Sequence, residues 1–217
     1  MDVFSAMIDR RSARAYLNKP VSRADIEDIF HYAGMAPSAI NLQPWEYVIV
    51  YGEEKDRLVK RLRKARTERK ISCGPGTENP LPDIFKNRSR RASDAMAPKI
   101  AETGREFNQF VEEGSCSFYG APVAIIVTID RLFPKLRYLD VGLSVSYLLL
   151  AAQAHGLATC PIGLISSYGE EIAEILDISE DKEILLGIAL GYADNQSPIN
   201  NFKTDRESLD NIRRWYE

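Results

Sequence analysis

Pro122-Val-Ala-Ile-Ile-Val-Thr-Ile-Asp130 is a continuous apolar run rich in β-branched residues. Such a run, with no polar alternation, reads as a buried strand. A buried strand needs cover, so the sequence around it must supply helices. Downstream, Lys135–His155 reads as one long helix, apolar nearly all round and therefore buried on most sides, ended by Gly156. Ser167–Leu176 is a short helix, and Glu183–Tyr192 (EILLGIALGY) is another strand. Upstream, Trp45–Tyr51 (WEYVIVY) is a strand rich in β-formers. Glu53–Lys70 is a helix with Leu58, Leu62 and Ile71 as sparse apolar anchors. Ser22 is an N-cap for a helix whose apolar face holds Ile26, Ile29, Phe30 and Ala33, stopped by Gly34 and Pro37. Met1–Arg10 is a short helix with Val3, Phe4, Met7 and Ile8 on one face. The class is mixed α and β, a sheet covered by helices.

The chain has 217 residues and a net charge of −3, with 45% hydrophobic and 27% charged residues. These values suit one globular domain and exclude extensive disorder. They also argue against a nucleic-acid binder that relies on global charge. No stretch approaches the ~18 to 20 apolar residues of a membrane span. Met1–Arg11 lacks the cationic start and long apolar run of a signal peptide. Cys73, Cys116 and Cys160 are odd in number and far apart, which suggests reduced thiols and a cytoplasmic location. With only His31 and His155 and no close Cys pair, a zinc site has little to build on.

Two segments read as peripheral. Cys73–Pro82 is a Gly/Pro-rich break, and Asp83–Gly114 is a polar helical stretch interrupted at Pro98 and Gly104. The latter covers something rather than forming core. Asp194–Glu217 is polar and must lie against another surface.

Three segments carry candidate chemistry. In Arg10-Arg11-Ser12-Ala13-Arg14, an extended backbone would turn Arg10, Ser12 and Arg14 to one side. Arg binds phosphate bidentately and Ser adds a donor, so this is either a phosphate clamp or a solvated basic turn. Ala36–Trp45 (APSAINLQPW) is a proline-bracketed polar loop that either presents donors to a heterocycle or caps a helix exit with an Asx turn. In Thr159–Leu164, Gly163 allows close approach of backbone to a ligand, and the alternative is an ordinary turn. Cys160 has no basic sequence neighbour and reads as a structural thiol.

Together these segments resemble the nitroreductase family of flavoenzymes. The resemblance rests on RRSARAY at Arg10–Tyr16, Pro20-Val21, APSAINLQPW at Ala36–Trp45 and Asp140-Val-Gly142. It continues through LLLAA at Leu148–Ala152, GLATCPIG at Gly156–Gly163 and LGIALGY at Leu185–Tyr192. It implies an α+β fold of three layers, helix–sheet–helix, around a mainly antiparallel sheet, in an intertwined homodimer with FMN at the interface. It implies that Arg10, Arg11 and Ser12 serve the flavin phosphate and ribityl chain, and Arg14 the N1–C2=O edge. Pro37, Ser38 and Asn41 would reach the flavin from the other subunit. Pro161, Ile162 and Gly163 would run past the ring, and Arg206, with Lys203, would close on the phosphate. Ala39 replaces a frequent second Ser, and Gly163 stands where some relatives carry an acid.

The implied activity is NAD(P)H-dependent, FMN-dependent oxidoreduction by ping-pong hydride transfer through flavin N5. Nitroaromatics or quinones are the small-molecule acceptors, and no side chain acts as catalytic acid or base. Residues 1–217 form a single domain. Residues 71–116 are a variable helical excursion or lid, with Phe85, Phe107, Phe110 and Phe118 as a specificity wall or as packing. Residues 194–217 are an arm wrapping the partner. Within the superfamily the alternatives are reductive dehalogenation and oxidative flavin chemistry. Outside it stands a nucleic-acid-binding module through Lys55–Lys70, which has nine basic and two acidic residues but no interleaved aromatics.

Overall fold

The computed structural model describes residues 1–71 and 79–217. Cys73, and most of the expected break at Cys73–Pro82, lie outside the described residues.

Four strands form one sheet: β1 (Trp45–Tyr51), β2 (Val123–Asp130), β3 (Ala158–Ile162) and β4 (Lys182–Gly191). Their order is β1-β2-β4-β3 and every pairing is antiparallel. The apolar run at β2 occupies the middle, paired with β1 from Trp45↔Ile129 to Tyr51↔Val123 and with β4 on its other side. Because side chains alternate along a strand, β2 splits its apolar residues between two cores. Val123, Ile125, Val127 and Ile129 face α2 (Arg23–Gly34) and α6 (Tyr138–Ala154). Ala124 and Ile126 face the opposite way, toward α3 (Gly52–Arg69) and α7 (Gly169–Leu176). The result is three layers, helix–sheet–helix. The remaining helices among the described residues are α1 (Val3–Asp9), α4 (Asp83–Ala101), α5 (Phe107–Cys116) and α8 (Leu209–Ile212).

Several sequence expectations are corrected. Thr159–Leu164 does not open as a turn: Ala158–Ile162 is the edge strand β3, tied to β4 from Ala158↔Gly191 to Ile162↔Gly187. Pro161 lacks an N–H, which an edge strand tolerates. Pro98 does not interrupt its helix, since α4 continues to Ala101. The break falls at Gly104, whose φ of 73° takes the left-handed region that glycine favours. The long helix begins with a 3-10 turn at Lys135–Arg137, and α6 proper is Tyr138–Ala154. It is not buried on most sides within one chain. Val141, Val145, Leu148 and Ala152 are buried, whereas Leu139, Leu143 and Tyr147 are exposed. The apolar face of α1 is likewise open, with Phe4 73% exposed and only Ala6 buried. Of the four phenylalanines of the expected lid, Phe110 and Phe118 are buried core residues and Phe85 is exposed.

Among the described residues no helix is long and apolar enough to cross a membrane, and no group of three or more His, Cys, Asp or Glu could hold a metal ion.

Candidate functional site

After α1, capped by the Asp2 carboxylate accepting from the Phe4 and Ser5 amides, the chain turns extended and runs along the sheet's open edge. Ser12 forms a parallel bridge with Thr159 of β3, and the Ala13 amide donates to the Thr159 carbonyl at 3.0 Å. The Leu17 amide donates to the Tyr192 carbonyl at 2.9 Å, so both ends of the segment are sewn to the sheet. Between them Tyr16 packs where Gly191 leaves room: a Cβ on Gly191 would stand 2.5 Å from Pro122 Cδ and 3.1 Å from the Tyr16 ring. Tyr16 Oη donates to the Ala13 carbonyl at 3.1 Å, and burial raises its phenol well above its ordinary value.

Asn200 fixes the middle of this segment from 186 residues away. Its Oδ1 accepts from the Arg14 amide at 2.8 Å. Its Nδ2 donates to the Ala15 and Asp194 carbonyls at 2.8 and 2.9 Å. The side chain is buried, so these bonds are made in a low dielectric. Sequence reasoning passed over Asn200, because an Asn after Pro198 in a polar tail carries no local sign of so distant a partner.

The segment and the C-terminal arm enclose a cavity of about 490 Å3. Arg10, Arg11, Ser12 and Arg14 line it from one side, Lys203 and Arg206 from another, and Ser89, Ser93 and Met96 of α4 from a third. Its lining holds five cations and no carboxylate. None of the five forms an ion pair among the described residues. Arg206 Nη1 instead donates to Thr204 Oγ1 and the Asp205 carbonyl, each at 2.8 Å. Burial, and then the like charge of Arg206, hold the Arg10 guanidinium below its ordinary value. A cluster of mutually repelling cations with hydroxyls beside it is relieved by an anion, and a phosphate suits the planar guanidinium fork. The residues present therefore fit the phosphate end of FMN.

The other expected residues are placed as follows. Pro161 and Ile162 end β3, two and three residues beyond the bridge to Ser12, and Gly163 opens the next 3-10 turn. Cys160 is buried, and burial pushes its thiol up. Pro37, Ser38 and Asn41 are not part of the cavity within one chain. They sit in the loop between α2 and β1, where Ser38 Oγ accepts from the Gln43 amide at 3.0 Å. Ile40, Asn41 and Gln43 all take positive φ, at 43°, 59° and 48°. For the β-branched Ile40 this is a strained conformation, and its side chain is 90% exposed.

An antiparallel sheet between two helical layers, with a cavity lined by cations beside its edge strand, defines an α+β class. The nitroreductase family model matches residues 7–192, and this chain belongs to that family. Among relatives, it is 33% identical over 216 residues to a 4-nitrobenzoate reductase of Pseudomonas putida, covering 95% of this chain and 92% of that protein. It is 31% identical over 210 residues to the nitroreductase NfnB of Mycolicibacterium smegmatis, covering 95% and 89%. Among solved structures, the FMN and NADPH-dependent nitroreductase NfnB of Sphigopyxis sp. strain HMH superposes with a TM-score of 0.91 at 27% identity over 100% of both chains. The FMN-dependent NfnB from Mycobacterium smegmatis in complex with NADPH gives 0.89 at 28% identity, over 99% of this chain and 97% of that one.

Proposed function

We propose that this protein is an NAD(P)H-dependent FMN oxidoreductase of nitroreductase or quinone reductase type that works by ping-pong turnover. Bound FMN would supply the redox chemistry, taking hydride at N5 from NAD(P)H and passing it to a nitroaromatic or quinone acceptor. The carrying observation is the cavity of five cations without a carboxylate, joined through Ser12 to the edge strand that leads to Pro161–Gly163.

In this reading Arg10, Arg11, Ser12 and Arg206 hold the phosphate, with Lys203 adding charge. Arg14 is the cation for the N1–C2=O edge, where a fixed positive charge stabilises negative charge that develops on reduction. Asn200 holds the Arg14 backbone in place. Pro161, Ile162 and Gly163 present backbone toward the ring. The α4 helix, which lines the cavity through Ser89, Ser93 and Met96, is the lid within residues 71–116.

The site is completed by a second copy of the chain, whose Pro37, Ser38 and Asn41 reach it. The exposed apolar faces of α1 and α6 support this, as does the strained loop that holds Ile40 out. Residues 194–217 divide. Up to Glu207 the arm lies on α4 through Arg88–Glu207 and Arg91–Asp205 pairs, both 2.8 Å. Beyond it Leu209, Ile212, Trp215 and Tyr216 are exposed and wrap the partner.

The test is a visible spectrum of purified, FMN-reconstituted protein under nitrogen. Flavin bands should bleach on adding NADPH and return on adding 4-nitrobenzoate, with parallel double-reciprocal kinetics. A preparation that retains no flavin after reconstitution overturns the reading.

A further inference from the structure

Asn200 clamps the backbone of Arg14, but the guanidinium is held by different means. Arg14 lines the phosphate cavity and also a second cavity, between α3, α5 and the turn at Ser117–Gly120, so its side chain stands in the wall between them. It forms no ion pair among the described residues, and its Nη1 donates to the Ser12 carbonyl at 3.3 Å, a long bond. Against it stands an aromatic ring: the guanidinium carbon lies 5.8 Å from the Tyr119 centroid.

The fold places that ring at a cost in backbone strain. Phe118 and Tyr119 both take positive φ, at 50° and 52°, before Gly120 at 77°. Two aromatic residues in succession are strained there, and such strain persists only where the packing around it over-determines the conformation. The packing is on the page. Phe118 is fully buried and anchors the turn. The Tyr119 ring lies on the backbone of α5 at Gly114, where any Cβ would overlap it, with the Phe110 centroid 5.8 Å away. Tyr119 Oη donates to the Val111 carbonyl at 3.5 Å and lies 3.4 Å from Ser115 Oγ. Burial raises the phenol above its ordinary value, so the ring stays neutral.

A carboxylate in this place would fix the guanidinium and cancel its charge. A ring face attracts a guanidinium through its quadrupole while carrying no net charge. The cation is thereby oriented and keeps its field, which is what stabilising negative charge on a reduced flavin requires.

We propose that Tyr119 is a positioning residue for Arg14: its ring face holds the guanidinium in place without neutralising it, and through Gly114 the end of α5 sets how strongly flavin reduction is favoured. This inference rests on the redox reading above.

The midpoint potential of bound FMN, measured by reductive titration against a reference dye, tests it. Tyr119→Phe keeps the ring and should match wild type. Tyr119→Met fills the space without a ring, and Gly114→Ala pushes the ring away. Each should lower the preference for reduced over oxidised flavin about tenfold, which is ~30 mV for a two-electron couple, and either one that folds is enough. In the Arg14→Gln background, adding Tyr119→Met should shift the potential no further. A ring that only supports the fold would lower Tm and leave the potential alone. In flavin-free protein the Arg14 Nε–Hε NMR signal, assigned by its loss in Arg14→Gln, should move in Tyr119→Met and stay in Tyr119→Phe. An unmoved potential, an equal shift in the Arg14→Gln background, a shift as large in Tyr119→Phe, or an unmoved Arg14 signal in Tyr119→Met overturns the proposal. Wild type that binds no flavin sinks the redox reading and this role with it, whereas flavin bound at an unmoved potential sinks this role alone.

Discussion

Two arginine-rich regions of this chain are used in opposite ways. Lys55–Lys70 carries a local excess of seven positive charges, whereas Arg10–Arg14 carries three arginines. The longer run is largely consumed by structure. Arg61 pairs with Glu174 at 3.1 Å and Arg69 with Glu171 at 2.9 Å, tying α3 to α7. Arg66 reaches Glu112 and Glu113, tying α3 to α5. Arg57 and Lys64 pair within the helix. The shorter cluster meets Lys203 and Arg206 instead, and no carboxylate lines its cavity. Density of charge along the chain therefore misleads. What marks a ligand site is positive charge the fold has declined to neutralise, because assembling it without a partner costs stability that only a bound anion returns.

The sharpest way to break this contrast is to remove charge from each region in turn. Arg10→Ala combined with Arg206→Ala deletes two charge-assisted contacts to a phosphate. FMN affinity, measured by fluorescence quenching, should fall on the order of a thousandfold. The flavin-free double variant should melt no lower than wild type, since the repulsion between the two guanidiniums is gone. A lower Tm with unchanged affinity would make this cluster structural. Arg69→Ala is the mirror experiment. It strips the cation from Glu171, whose side chain is 8% exposed, and leaves a buried carboxylate uncompensated. Tm should drop by a few degrees and FMN affinity should hold. Equal loss of affinity in both variants would erase the distinction.

The same contrast explains what could be read from sequence. The strands β1, β2 and β4 announce themselves as runs of β-branched residues, and α2 through its Ser22 cap, because these signals are local. The strand β3 does not. It has five residues with Pro161 among them, and it is a strand because β4 offers it an edge. The arginine cluster is local too, and family resemblance adds Lys203, Arg206 and the loop from Pro37 to Asn41. The clamp by Asn200 depends on a contact across almost the whole chain, for which no spacing rule exists. The neutralisation of Arg61, Arg66 and Arg69 of α3 is equally non-local, since their carboxylates lie 46 to 113 residues further on. Pro98 does not interrupt α4 for another reason: it removes a single N–H bond from a helix of 19 residues, and its own carbonyl still accepts from the Glu102 amide at 3.0 Å.

The smallest effect comes from the arm, where the two uses of charge sit on adjacent residues. Arg206 faces the cavity, while Glu207 holds the arm to α4 through Arg88 and caps its own turn through Asn211. The Asn211 amide, then Arg88, lower the Glu207 carboxyl to about 2 from an ordinary 4.5. A carboxylate depressed in the folded state stabilises fully above its unfolded value and loses that contribution as pH falls through the folded one. The wild type should therefore keep its advantage over Glu207→Gln in full above about pH 4.5, and that advantage should shrink to nothing as pH approaches 2. Trp215, eight residues beyond, reports on the arm by its fluorescence. If Glu207→Gln also weakens FMN binding modestly at neutral pH, the pair on α4 is what aims Arg206 into the cavity. If the variant binds FMN as wild type does, Arg206 is positioned by its own bonds to Thr204 and Asp205, and the neutralised and free charges of the arm act independently.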